Sequence, residues 1–166
     1  MGRFKIGKHG NIIGENRNKF MLFMVIQQQY IGVYGVLFSS QGLLLVQKRR
    51  GPYLGWWDLP GGGLRHGEDI KTALRRELEE ETHLSVTEKD LCFWKNMTAL
   101  TEQKDLSFFH IGMLYKITAF DPLQIRCDIN KEDVAGAEWH LKPTEPLTPF
   151  AAEAMRYLTG GRQAFS

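Results

Sequence analysis

The strongest periodic pattern in the chain spans residues 70–81, where apolar and acidic residues share one side of a predicted helix. On a wheel of about 100° per residue, the side centred on Glu77 also carries Ile70, Ala73 and Leu74. Glu80 and Glu81 fall on this side as well. A surface helix would turn its charges outward, and burying carboxylates without partners is costly. The pattern therefore favours an inward acidic cluster that requires a cation over an ordinary charged helix.

Asp69 and His83 mark the two ends of this helix. Asp69 is a favourable N-cap, because its carboxylate accepts hydrogen bonds from the unpaired amides of the first turn. The helix is predicted to run from about Ile70 to Glu81. We expect His83 to adopt a positive φ at the C-terminal end, where histidine is strained less than most residues other than glycine.

Short apolar runs predict strands on both sides of the helix, at residues 20–27, 30–39, 43–48, 91–100, 107–120 and 137–141. Turn residues 40–42 predict that the second and third strands form a hairpin. The polar loop 101–105 predicts that the fourth and fifth form an antiparallel pair. Gly32 and Gly35 interrupt the second strand, which indicates a bulge or the close approach of another backbone or a ligand.

A second helix is predicted near the C-terminus. Thr148 is its expected N-cap and Pro149 its first-turn proline, while Gly160 and Gly161 stop it. An apolar stripe runs along it, formed by Phe150, Ala154, Met155 and Leu158. We interpret this helix as a packing element.

Composition narrows the classes of protein. The 166 residues, of which 43% are hydrophobic, suit one globular domain with a real core. The net charge of +2 gives no general electrostatic case for binding nucleic acid or membrane. Cys92 and Cys127 form neither a metal motif nor a disulfide framework, so we expect a reduced, cytoplasmic setting. No apolar run is long enough to span a membrane.

The stretch from Gly62 to Leu84 resembles the signature of the Nudix hydrolases. That signature is a glycine, five residues, a glutamate, seven residues, then R-E-aliphatic-x-E-E-x-G-aliphatic, and the chain matches it at Gly62, Glu68, Arg76, Glu77, Leu78, Glu80, Glu81 and Leu84. Only His83 departs, in place of the final glycine. The resemblance implies an α/β/α sandwich with a mixed β-sheet. We expect a Nudix domain at 18–160, an extended or partly ordered basic arm at 1–17 and a tail at 161–166.

The resemblance also implies a metal site. Glu77, Glu80 and Glu81 would hold Mg²⁺, with Glu68 as an outer ligand and Arg76 orienting the glutamates. Oxygen ligands without histidine or cysteine suit Mg²⁺ or Mn²⁺ better than zinc. The implied reaction is attack of water on a phosphorus atom of a diphosphate linkage, and Arg76 counts as catalytic with Glu77 and Glu81. The general base is Glu77 or Glu81, with Glu102 as an outside candidate.

Residues 49–62 contain the candidate substrate contacts. Arg49 and Arg50 are either phosphate contacts or solvated charges. Tyr53 and Trp56 either stack on a nucleobase or pack in the core, and strand alternation places Trp56 and Trp57 on opposite faces. The triplet that includes Gly61 and Gly62 lets the backbone pass close to metal and phosphate.

The resemblance therefore implies a metal-dependent pyrophosphatase acting on a nucleoside diphosphate linked to another moiety, in the ADP-ribose or (d)NTP class. Leu100 stands where ADP-ribose enzymes of the family often carry a proline, so the substrate stays open. The alternative is a catalytically silent Nudix-fold module that binds nucleotides or regulates. The expected partner is a small nucleotide, with neither membrane nor specific nucleic acid, and a homodimer is one assembly to test.

Overall fold

The computed structural model describes residues 5–6, 12–13, 26–103, 105–126, 134–142 and 146–161. Within the predicted N-terminal arm, strand β1 (Lys5–Ile6) pairs antiparallel with β2 (Ile12–Ile13). The rest of the arm, and most of the strand predicted at 20–27, lie outside the described residues.

One sheet is mixed and holds the longest strands. β3 (Ile26–Val36) lies between β7 (Gly61–Gly63) and β9 (Leu106–Ile117), and β8 (Leu91–Gln103) pairs with the far side of β9. β3 runs parallel to β9, while the β3–β7 and β8–β9 pairs are antiparallel. The antiparallel β8–β9 pair confirms the prediction. β8 extends into the predicted loop 101–105, while β9 begins one residue before the predicted residue 107 and ends earlier than the predicted residue 120.

A second sheet contains four shorter strands. β5 (Gly42–Lys48) pairs antiparallel with β4 (Phe38–Ser39), with β6 (Trp57–Asp58) and with β10 (Val134–His140). The predicted hairpin is therefore confined to β4 and the start of β5. The single predicted strand 30–39 is wrong, because the chain breaks at Leu37 and its two parts, β3 and β4, enter different sheets. β10 also begins earlier than the predicted residue 137.

Two helices, α1 (Ile70–Thr82) and α2 (Pro149–Gly161), cover opposite faces of the strands. Val33 belongs to the core that contains Leu78 of α1, whereas its neighbour Tyr34 belongs to the core that contains Phe150 of α2. Consecutive strand residues point to opposite faces, so β3 contributes to both cores. The predicted α/β/α sandwich with a mixed sheet is confirmed. α2 includes Gly161, and residues 162–166 of the predicted tail lie outside the described residues.

Three glycines lie side by side across the mixed sheet on the face toward α2. Gly32 of β3 pairs with Gly63 of β7 on one side and with Gly112 of β9 on the other. A Cβ at these positions would meet an aromatic side chain within 2.5 to 2.7 Å, contributed in turn by Tyr34, Tyr30 and Phe150. The glycine row therefore makes room for aromatic rings directly above the sheet, and close approach, not a bulge, explains Gly32.

α2 is anchored to the second sheet by a buried polar contact. The hydroxyl of Thr148 donates to Oδ1 of Asp58 over 2.5 Å, and that same oxygen accepts the amide of Leu59. Burial raises the pKa of Asp58, while Lys48 and these two hydrogen bonds oppose the rise. The Thr148 hydroxyl also accepts from the amide of Ala151 over 3.3 Å, so the predicted N-cap is confirmed.

The predicted ends of α1 are confirmed. The Asp69 carboxylate accepts hydrogen bonds from the amides of Lys71 and Thr72. His83 has φ 57° and ψ 18°, and its amide donates to the carbonyl of Glu79. It is the sole residue other than glycine with positive φ in the described ranges. A strained histidine thus closes the helix where glycine would fit without strain.

We predict that His83→Gly stabilises the protein. Glycine removes the steric cost of the left-handed conformation, partly offset by its greater freedom in the unfolded chain, for a net gain of about 0.5–1 kcal/mol. The midpoint of urea unfolding should rise, while the dependence of the unfolding free energy on urea concentration stays unchanged. His83→Ala is the matched control, since alanine keeps the Cβ that causes the strain. A gain in His83→Ala as large as in His83→Gly would contradict the explanation.

Candidate active site

The inward face of α1 carries the carboxylates of the predicted cluster. Glu77 and Glu81 are 8% and 2% exposed, whereas Glu79, on the opposite side, is exposed. Glu80 lies at the edge, with 30% of its side chain exposed. The periodicity argument is therefore confirmed: the glutamates face the same side as Ala73 and Leu74, which are completely buried.

Arg76 joins the carboxylates to one another. Its Nε and Nη2 atoms donate to the two oxygens of Glu68, each over 2.8 Å, and Nη1 donates to Glu77 Oε1 over 2.5 Å. Nη2 also donates to the carbonyl of Gly63 over 3.1 Å. The hydrogen bond from Arg76 is the main reason that the pKa of Glu68 is lowered to about 2. Glu68 is therefore a fixed anion at neutral pH, and Arg76 connects it to the helix and to β7.

The glycines of β7 bring the backbone against this cluster. The amide of Gly61 donates to Glu81 Oε2 over 2.8 Å. A Cβ on Gly62 would lie 2.8 Å from the Glu77 carboxyl carbon, so a side chain there would occupy the space of the carboxylate. Gly61 has φ 145°, and a Cβ there would lie 2.2 Å from the carbonyl oxygen of Val33. Gly62 is therefore needed for Glu77 to reach β7, and Gly61 for β7 to lie against β3.

Glu80 lies between two arginines. Its Oε1 accepts from Arg65 Nη2 over 3.1 Å, and its Oε2 lies 3.6 Å from Arg76 Nη1. Arg76 thus contacts both Glu77 and Glu80, while Glu81 bonds the amide of Gly61. Across the described ranges, no three histidine, cysteine, aspartate or glutamate side chains are arranged to hold a metal ion.

The donor set nevertheless fits a hard divalent cation in its chemistry. Glu68, Glu77, Glu80 and Glu81 supply carboxylate oxygens, the ligands that Mg²⁺ and Mn²⁺ prefer. The Glu77 carboxylate packs directly on Gly62, where any side chain would displace it. Buried carboxylates on adjacent turns repel one another, which favours a cation beside them.

The predicted substrate contacts are placed in different environments. Arg49 and Arg50 are exposed in the loop after β5. Tyr53 is 4% exposed, and its hydroxyl lies 2.9 Å from Oγ1 of Thr101. Trp56 is half-buried, with its ring centroid 5.6 Å from that of Tyr53. Trp57 packs in the core against His140. Trp56 lies just before β6, so the prediction from strand alternation does not apply to it.

His110 is a polar residue of this region that the sequence pattern did not reveal. Its Nε2 lies 2.8 Å from the Tyr34 hydroxyl, and its ring contacts five aromatic side chains, those of Tyr30, Tyr34, Tyr53, Phe108 and Phe150. The buried Nδ1 has no hydrogen-bond partner in the described part of the chain. No motif or spacing marks His110, because its environment comes from strands far apart in sequence.

An acidic helix packed against a glycine strand within an α/β/α sandwich defines the class of the protein, and comparison with known proteins agrees. The sequence profile of the NUDIX domain matches residues 29–158. The chain belongs to the Nudix hydrolase family.

Relatives and solved structures extend this comparison. The chain is 39% identical over 114 residues to the nucleoside triphosphatase NudI of Salmonella paratyphi B, covering 66% of this chain and 79% of that protein. It is 29% identical over 133 residues to Nudix hydrolase 2 of Arabidopsis thaliana, covering 78% of this chain and 45% of that protein. It is 34% identical over 61 residues to the ADP-ribose pyrophosphatase of Methanocaldococcus jannaschii, covering 37% of this chain and 36% of that protein. The chain thus spans less than half the length of two of these relatives.

The fold also resembles that of a MutT NUDIX hydrolase from Burkholderia pseudomallei, with a TM-score of 0.64 and 22% identity over 78% of this chain and 97% of that one. This likeness concerns the fold alone. In the described residues no helix is both long and apolar enough to cross a membrane.

We predict that His110 makes the protein sensitive to mild acid. Burial lowers the pKa of His110 from 6.5 to about 4, so the unfolded chain binds the proton first as pH falls. The stability that the neutral imidazole contributes is fully present above pH 6.5 and is lost as the pH falls from 6.5 to about 4. The loss in unfolding free energy is up to about 3 kcal/mol.

Urea unfolding of wild type and His110→Gln across this pH range checks the prediction. As the pH falls, wild type should lose more unfolding free energy than His110→Gln, because glutamine does not titrate. Equal pH dependence in the two proteins, or an imidazole NMR titration near the ordinary pKa, would contradict it.

Proposed function

We propose that the protein is a metal-dependent Nudix pyrophosphatase that hydrolyses a phosphoanhydride bond in a nucleotide derivative. The observation that carries the proposal is the Arg76 cluster, in which one guanidinium binds Glu68, Glu77 and the carbonyl of Gly63. This contact holds acidic side chains from a loop and a helix against a backbone with no side chains. A packing helix has no need of such an arrangement.

We propose that Glu77, Glu80 and Glu81 hold Mg²⁺, or Mn²⁺, with Glu68 as an outer ligand. When bound, the cation polarises the attacking water and neutralises charge that develops on the phosphate. Arg76 holds Glu68 and Glu77 in place, and Gly61 orients Glu81 through its amide. Gly62 has no side chain, so the Glu77 carboxylate packs directly against the backbone of β7.

Among the candidate bases we favour Glu81. The amide of Gly61 orients Glu81 Oε2, whereas Glu77 is bound by Arg76, which we propose holds it as a metal ligand. Glu102 is exposed on β8, a different element from the acidic helix, which supports a base within α1. Glu81 would accept the proton of the attacking water as the oxygen bonds to phosphorus.

The names of two relatives and the aromatic region support the substrate class that we propose. One relative is named as a nucleoside triphosphatase and another as an ADP-ribose pyrophosphatase. We propose the (d)NTP and ADP-ribose class, with Arg49 and Arg50 toward the phosphates and Trp56 beside the nucleobase. Trp56 is a better stacking candidate than Tyr53, which is almost fully buried. The proposed setting is cytoplasmic, and homodimer formation stays a prediction.

We predict that Glu81→Gln abolishes most activity without unfolding the protein. Glutamine keeps the shape of the side chain but loses the charge and the basic oxygen, so kcat should fall by about 10²–10³. The assay measures Mg²⁺-dependent phosphate or pyrophosphate release from a panel of nucleotides: ADP-ribose, NADH, dinucleoside polyphosphates, and normal and oxidised (d)NTPs.

Glu79→Gln is the matched control, since Glu79 lies on the same helix and faces outward. It should keep kcat within about twofold of wild type. Glu77→Gln tests the choice of base, because a larger loss there than in Glu81→Gln would reassign the role. If wild type releases no more product than Glu81→Gln on every compound, the enzymatic proposal fails and the silent binding module takes its place.

A further inference from the structure

Arg65 stands out among the basic residues near the carboxylates, because its backbone is fixed while its side chain is exposed. Its amide donates to Glu68 Oε2 over 2.9 Å, and its carbonyl accepts the amide of Glu68 over 3.0 Å. Glu68 is in turn held by Arg76. The Arg65 side chain is nevertheless 66% exposed. The Arg65 guanidinium, carried by a fixed backbone at the exposed edge of the carboxylate cluster, can therefore change its binding partner.

The two arginines of the cluster differ in their capacity to meet a ligand. Arg76 uses Nε, Nη1 and Nη2 in contacts with Glu68, Glu77 and Gly63, and its side chain is 15% exposed. Within the described residues, the Arg65 side chain bonds Glu80 alone, through Nη2 over 3.1 Å. Arg76 is thus committed to the protein, whereas Arg65 has donors available for an anion.

The charges at the site create a need for such a donor. The four carboxylates of Glu68, Glu77, Glu80 and Glu81 outnumber the guanidinium groups of Arg65 and Arg76 by two. Carboxylates repel a polyphosphate that approaches them, and a guanidinium group beside them offsets that repulsion. Glu80, the most exposed of the helix carboxylates in the cluster, is the one that Arg65 covers.

We propose that Arg65 is a phosphate-binding residue that exchanges Glu80 for a phosphate oxygen when Glu80 binds the divalent cation. The proposal rests on the proposed function, since it takes Glu80 as a metal ligand and a polyphosphate as substrate. Before metal binds, Arg65 competes with the cation for Glu80. Afterwards its planar fork binds the phosphate in two-point geometry that an ammonium group cannot reproduce.

Two binding measurements on Arg65→Gln test the exchange without turnover. The first is the dissociation constant of Mn²⁺ alone, followed by electron paramagnetic resonance of the free ion. Loss of the competing cation should tighten Mn²⁺ binding by about three- to fivefold, as expected for an exposed ion pair. The second is calorimetric binding of inorganic pyrophosphate at fixed free Mn²⁺, which should weaken by about tenfold.

Two further variants separate the exchange from a general change in charge. Arg65→Lys keeps the charge without the fork, so Mn²⁺ affinity should match wild type while pyrophosphate binding is intermediate. Lys71→Gln removes one positive charge from α1 at a residue that pairs with Glu88 over 3.7 Å, away from the cluster. Both constants should stay within about twofold of wild type in this control.

The proposal is overturned if Arg65→Gln leaves either constant unchanged, or if Lys71→Gln shifts both as much. These outcomes are separate from those for the proposed function. If wild type hydrolyses nothing on the nucleotide panel while Arg65→Gln shows both shifts, the enzymatic function fails and the role of Arg65 stands. If wild type is active and the shifts are missing, only the role of Arg65 fails.

Discussion

The ion pair between Arg76 and Glu68 is the contact on which the geometry of the site depends. Glu68 precedes α1 and would otherwise be an isolated loop carboxylate. Through Arg76 it is connected to Glu77 on the helix and to the carbonyl of Gly63 on β7. The hydrogen bonds to both Glu68 oxygens form a bidentate pair, the geometry that makes arginine–carboxylate contacts strong. These contacts hold the loop, the helix and the strand in fixed positions relative to one another.

α1 can lie this close to β7 because β7 consists of glycine. Gly62 leaves space for the Glu77 carboxylate on the side toward α1, while Gly63 leaves space for the Tyr30 ring on the side toward α2. The short strand therefore separates a charged compartment from an aromatic one by the thickness of a backbone.

Much of the α1 region followed from local rules. The caps at Asp69 and His83 and the inward face of Glu77 depend on contacts within a few residues, which periodicity and capping chemistry describe well. Strand limits were less accurate. The break at Leu37, which sends β3 and β4 into different sheets, leaves little trace in an apolar run, because both halves are equally suited to β structure.

The sequence by itself determined the acidic helix, its direction, its family and the α/β/α class. Tertiary structure alone decided that Arg65 covers Glu80, that Glu81 bonds Gly61, and that His110 lies among five rings. The physical reason is distance along the chain. Helical periodicity acts over one or two turns. These contacts, apart from the one between His110 and Phe108, join residues 15 to 80 positions apart and depend on how strands pair across the sheet.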